Sequence, residues 1–119
     1  MKPYDKTKRY FGPQGSPLNR LIPEAPPTVP ILKEVFNKAG YNHDSGYEGE
    51  KSTVPFLGKI ANYFARKAID VEFLREMDDG ILSYAEQGLI TPEQEAISLK
   101  YAMLAYKAVR LGGWTFYRK

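Results

Sequence analysis

The sequence predicts a mainly α protein, a three-helix core behind an extended, proline-rich N-terminal arm. Three observations predict it. Seven of the nine prolines fall within the first 30 residues. Beyond them, three segments place apolar residues at helical spacing. Each of those segments is bounded by residues that start or stop helices. The chain therefore divides into a proline-rich basic arm, 1–28, and a helical domain, 29–119.

The prolines of the first 30 residues are Pro3, Pro13, Pro17, Pro23, Pro26, Pro27 and Pro30. Proline fixes its own φ and biases the preceding residue toward extended shapes. An irregular segment is expected, with turns at Gly12-Pro13 and Gly15-Ser16-Pro17, wrapping the helical body or a partner. Its basic residues are Lys2, Lys6, Lys8, Arg9 and Arg20.

The first helix is expected to start between Thr28 and Pro30, with Thr28 as cap. Ile31, Leu32, Val35, Phe36 and Ala39 supply its spacing. It continues through Gly40 to put His43 and Tyr47 on one face, and stops at Gly46 and Gly49. The second starts at Thr53-Val54-Pro55. Phe56, Leu57, Ile60, Tyr63, Phe64, Lys67, Ala68, Val71 and Leu74 form its stripe, widened by Ile69, Phe73 and Met77. So apolar a helix is expected to be largely buried. A break is expected at Asp78-Asp79-Gly80, then a short helical piece, Ile81 to Gln87, ending at Gly88. The third opens on Thr91-Pro92-Glu93-Gln94, a capping box with proline in the first position. Ala96, Ile97, Tyr101, Leu104, Ala105, Ala108 and Val109 form its expected inner face, and Gly112-Gly113 stops it. The tail Trp114 to Lys119 alternates aromatic and polar residues, as a short strand or a surface clamp would.

Composition excludes several chemistries. A chain of 119 residues suits one domain. Its 43% hydrophobic and 26% charged residues argue against wholesale disorder. There is no cysteine, so thiol catalysis, disulfides and thiolate metal sites are excluded. One histidine rules out a multi-histidine metal site, so a metal would need oxygen ligands, as calcium or magnesium does. A net charge of +3 fits a solvated surface, or an anionic partner such as a membrane. No apolar run is long enough to span a membrane, and no ordinary signal peptide is expected. Phosphate-binding glycine loops and the serine-hydrolase elbow are absent, and no nucleic-acid recognition motif occurs.

The one place where chemistry is expected is His43-Asp44-Ser45-Gly46-Tyr47. On a helix, Asp44 points about 100° away from the imidazole, toward a space where a cation can bind. Tyr47 lies one turn on, on the histidine's face. Asp70 sits among Ala68, Ile69 and Val71, and a buried aspartate needs a partner. If the first two helices run antiparallel, Asp70 reaches one ring nitrogen of His43, fixes the tautomer and leaves the other as a general base. Arg66 or Arg75 are alternative partners for Asp70, as is solvent. Tyr47 is equally readable as packing.

His43-Asp44-x-x-Tyr47, followed by Ala68-x-Asp70-x-x-Phe73, resembles the active-site helices of phospholipases A2, especially the cysteine-free viral type. Tyr10-Phe11-Gly12-Pro13-Gln14-Gly15 resembles that family's calcium loop. The resemblance implies an antiparallel helix pair. It makes His43, Asp70 and Tyr47 the catalytic set, with Ca²⁺ held by Asp44 and by backbone at Phe11, Gly12 and Gly15. From about residue 12 to 113 the chain also resembles a small phage and prophage family of uncharacterised function. The shared features are Gly15-Ser16-Pro17, the His43-Asp44 box, Asp70 to Met77, and Tyr106-Lys107-Ala108-Val109-Arg110-Leu111-Gly112-Gly113.

Two functions follow as expectations. One is a calcium-dependent phospholipid acyl-ester hydrolase of phage type, with the basic arm and aromatic tail at a phospholipid interface. The other is a non-catalytic virion or infection-time binder that uses the arm for assembly with other phage proteins. Either implies a phage virion or host cytoplasm as the location. No specific nucleic-acid partner is expected, and no transmembrane segment.

Overall fold

A computed structural model describes residues 2–12, 22–49 and 55–111, without the side chains of 47–49 and 55–62. The protein is mainly helical, with three α-helices and no strand among the described residues. A 3-10 turn, Pro30–Leu32, leads into α1, Lys33–Gly49. Then come α2, Pro55–Glu86, and α3, Pro92–Arg110. At 1.5 Å per residue the 32 residues of α2 span about 48 Å, which accounts for the 49 Å long axis. The other two helices pack against it.

α3 begins as its sequence demands. Thr91 accepts from the Gln94 backbone while the Gln94 side chain caps Thr91 in return. Gly88, at φ 72, supplies the left-handed residue that ends α2. The start of α1 differs from expectation. Val29, not Thr28, precedes the first turn, and no side chain caps it. Pro30 makes a side-chain cap less necessary, since it brings no N–H to be satisfied.

α2 also differs, because it runs unbroken through Asp78-Asp79-Gly80. A lone glycine costs a helix only about 1 kcal/mol, and here it makes room for Val35 of α1. The pairs Val35–Gly80 and Gly46–Ile69 show that α1 and α2 run antiparallel. The contact of Arg110 with Tyr63, near the other end of α2, shows the same for α2 and α3.

Among the described side chains, the core lies along one line of α2, Phe73, Met77 and Ile81, while other members of the expected stripe lie off it. Tyr63, Phe64 and Val71 stand largely exposed, Phe64 by 62%. α3 is likewise turned from its expected face. Ser98, Ala102, Ala105 and Val109 are buried, while Ile97 and Leu104 face outward, Leu104 by 63%. Small side chains let two helix backbones approach, so they occupy the contact and displace larger apolar residues to its margins.

The described parts of the arm hold no helix before Pro30, yet they are built into the body. Phe11 is buried between Phe36 of α1, Phe73 of α2 and Tyr101 of α3, with ring centroids 5.2, 6.3 and 5.9 Å away. Asn37 fastens the segment that carries it. Its Oδ1 accepts from the Tyr10 and Phe11 amides (2.5 and 3.3 Å), and its Nδ2 donates to the Lys8 carbonyl (2.7 Å). The Tyr101 hydroxyl donates to the Pro23 carbonyl at 2.5 Å and ties the second limb to α3. The turn at Gly15-Ser16-Pro17, the start at Thr53 and the tail from Trp114 lie outside the described residues.

Candidate functional site

The antiparallel α1–α2 pair brings His43 and Asp70 together. His43 Nε2 and Asp70 Oδ1 lie 2.6 Å apart. The two side chains are 2% and 0% exposed. Burial this complete requires each polar atom to be answered by another, and Asp70 is buried because it continues the inward line of Phe73 and Met77 along α2. Gly46 allows the close approach. A Cβ on it would lie 3.1 Å from Ile69 Cγ2, tighter than side chains normally sit. The Phe73 ring stacks on the imidazole at a tilt, with centroids 4.6 Å apart.

Asp70 has a second partner, and it is neither of the arginines that sequence proximity suggests. Arg110, at the end of α3, donates from Nη1 to Asp70 Oδ2 at 2.7 Å. Arg75 turns outward instead, to Glu72 and Asp79 on its own helix. One carboxylate thus joins all three helices. Sequence reasoning missed this role of Arg110. The available signal was its basic residue in the last turn of α3, where the macrodipole also favours it.

The other ring nitrogen, Nδ1, faces Asp44, whose Oδ1 lies 3.9 Å away. That is an ion-pair separation and not a hydrogen bond. Burial pushes the imidazole toward its neutral form. The Asp44 and Asp70 carboxylates outweigh burial and hold His43 above the ordinary histidine value. The imidazole also lines a cavity of about 230 Å³ between α1 and α2. Gly46, Ala68, Ile69 and Phe73 give it an apolar wall, and Glu72 and Glu76 a polar one.

The expected calcium loop is placed in part. Gly40 lets the arm lie directly on α1, for a Cβ there would meet the Tyr10 carbonyl oxygen at 2.6 Å. Asp44 follows Gly40 by one helical turn on the same face. Gly12 is buried and adopts φ 110, a conformation that favours glycine. The Phe11 carbonyl, however, accepts from Arg9 Nε at 2.6 Å, and the same guanidinium reaches the Ile22 carbonyl. A carbonyl already facing a cation is a poor ligand for a second one. Gly15 and the Tyr47 side chain lie outside the described residues, although the Tyr47 backbone is helical within α1. Among the described residues no group of three or more His, Asp or Glu side chains is arranged to hold a metal ion.

Among the described residues no helix is long and apolar enough to cross a membrane. Comparison of the chain with protein-family models, curated proteins and solved structures finds no match.

Proposed function

We propose that the protein is a calcium-dependent phospholipid acyl-ester hydrolase of phage type. The observation that carries the proposal is the buried 2.6 Å bond between His43 Nε2 and Asp70. It commits Nε2 to donating and leaves Nδ1 as the basic nitrogen. Nδ1 takes a proton from water as the oxygen attacks the ester carbonyl. The tetrahedral intermediate collapses with cleavage of the carbonyl–alkoxy bond, and His43 returns the proton to the leaving alcohol. Free fatty acid and lysophospholipid are the products. Asp70 orients the ring throughout, and Tyr47, one turn from His43, helps to hold it.

Calcium would be held by Asp44 together with the backbone at Phe11, Gly12 and Gly15, with the Phe11 carbonyl shared with Arg9 Nε. When bound there, calcium supplies the positive charge that polarises the ester carbonyl. The work site is a phospholipid interface, or a complex with other phage proteins, in the virion or the host cytoplasm.

A second reading has one observation in its favour. His43 and Asp70 are buried and mutually satisfied, as in clusters kept for packing specificity. The protein is then a non-catalytic virion or infection-time binder that uses the proline-rich arm for assembly. Fatty-acid release from mixed phospholipid vesicles, with calcium and with chelator, separates the two. Calcium-dependent release by the parent, abolished in His43→Ala, is the expected result. No release from a folded parent sinks the hydrolase and leaves the binder.

A further inference from the structure

Asp70 is a carboxylate with no exposed surface, held at each oxygen by a different helix. A carboxylate rotates easily about its last side-chain bond, because that torsion is broad and roughly two-fold. The His43 contact at Oδ1 fixes one oxygen, and the ring that makes this contact is itself what has to be held. An independent anchor is needed if Asp70 is to orient the ring rather than follow it.

Arg110 provides that anchor. Its Nη1 bonds Oδ2 at 2.7 Å. Its guanidinium is in turn placed over the Tyr63 ring, 5.7 Å from the centroid. Arginine stays charged, so it also balances Asp70 without calling on His43. We propose that Arg110 is a positioning residue for the His43–Asp70 pair, fixing the carboxylate so that one imidazole tautomer is selected. This rests on the proposed hydrolase only in giving the tautomer a use.

The chain has a single histidine, so ¹⁵N labelling of histidine gives one imidazole to follow. The two ring nitrogen shifts, read at one fixed alkaline pH, report which nitrogen carries the proton. The parent is expected to show Nε2 protonated and Nδ1 bare. In Arg110→Met the preference falls about tenfold, the loss expected for a charge-assisted hydrogen bond. Arg110→Lys restores most of it, and Asp70→Asn gives the full loss as a reference. Should Arg110→Met not fold, Arg110→Gln, which donates without charge, carries the same expectation at smaller amplitude. A folded Arg110→Met or Arg110→Gln with the parent's nitrogen shifts overturns the proposal. Fatty-acid release by the same proteins is read separately. Its absence in the parent ends the hydrolase reading, while the shifts still decide the role of Arg110.

Discussion

Val35 of α1 sits in the gap that Gly80 leaves in the surface of α2, with Val35 Cγ2 only 3.2 Å from where a Gly80 Cβ would be. The two helices meet backbone to side chain at that point. Gly80→Ala is therefore expected to destabilise the fold. Overpacking costs about 1–3 kcal/mol, against about 1 kcal/mol returned by removing a helix glycine. The denaturation midpoint checks this, and Val35→Ala in the same chain should recover most of the loss. A Gly80→Ala protein more stable than the parent would contradict the packing described.

Asp70→Asn is expected to be more damaging. Breaking one member of a buried charged pair costs about 3–5 kcal/mol, because Arg110 and His43 then face a neutral amide. Denaturant unfolding measures it. A cost below about 1 kcal/mol would mean that water replaces the carboxylate.

Asn37→Ala removes the acceptor of the Tyr10 and Phe11 amides and the donor to Lys8. The expected loss is about 1–3 kcal/mol, with faster hydrogen exchange at Tyr10 and Phe11 and little change within α3. Uniform exchange across all helices would show that the arm is not a separate layer.

His43 is held above its ordinary value by Asp44 and Asp70 against the opposing effect of burial. A raised folded value means that protonation favours the fold. The contribution is complete below the unfolded value, about 6.5, and is lost as pH rises through the folded value. In chelator-containing buffer, stability should decline from mildly acidic toward alkaline pH, and His43→Gln should flatten that decline. The proposed base needs the neutral ring, so hydrolysis should rise over the same range. A parent and variant with parallel stability profiles would remove His43 as the cause.

Asp78 is raised by burial and by the neighbouring Asp79 charge, and its Oδ1 is buried without a hydrogen-bond partner. Its charged form opposes folding above its unfolded value. Asp78→Asn is expected to stabilise at neutral pH by less than about 1 kcal/mol, and by nothing once acid has protonated the parent. Thermal melts at two pH values test this.

Local signals were the legible ones. The capping box at Thr91 and the glycine at 88 act within a few residues, and both ends form as their chemistry requires. The His43–Asp70 contact was legible because an aspartate in an apolar helix needs a partner and an antiparallel pair offers one histidine, although it is the line with Phe73, and not Ala68 or Val71, that buries it. What failed depended on other helices. Gly80 reads as a break until Val35 is seen against it. Ile97 and Leu104 read as core because apolar residues were counted, yet Ser98, Ala102 and Ala105 sit at the close contact. That rotation of α3 is also what aims Arg110 at Asp70.

The burial of Phe11 has a consequence for the order in which the chain is made. Its socket needs Phe36, Phe73 and Tyr101, and Tyr101 is synthesised 90 residues later. The limb at Pro23 waits for the same tyrosine, across 78 residues. α2 and α3, by contrast, are joined through Gln87 to Thr91 and can close on each other at once. On the ribosome the arm thus emerges before the helices that seat it. Until α3 is complete, Phe11 lacks one wall of its socket and stays accessible to chaperones and proteases.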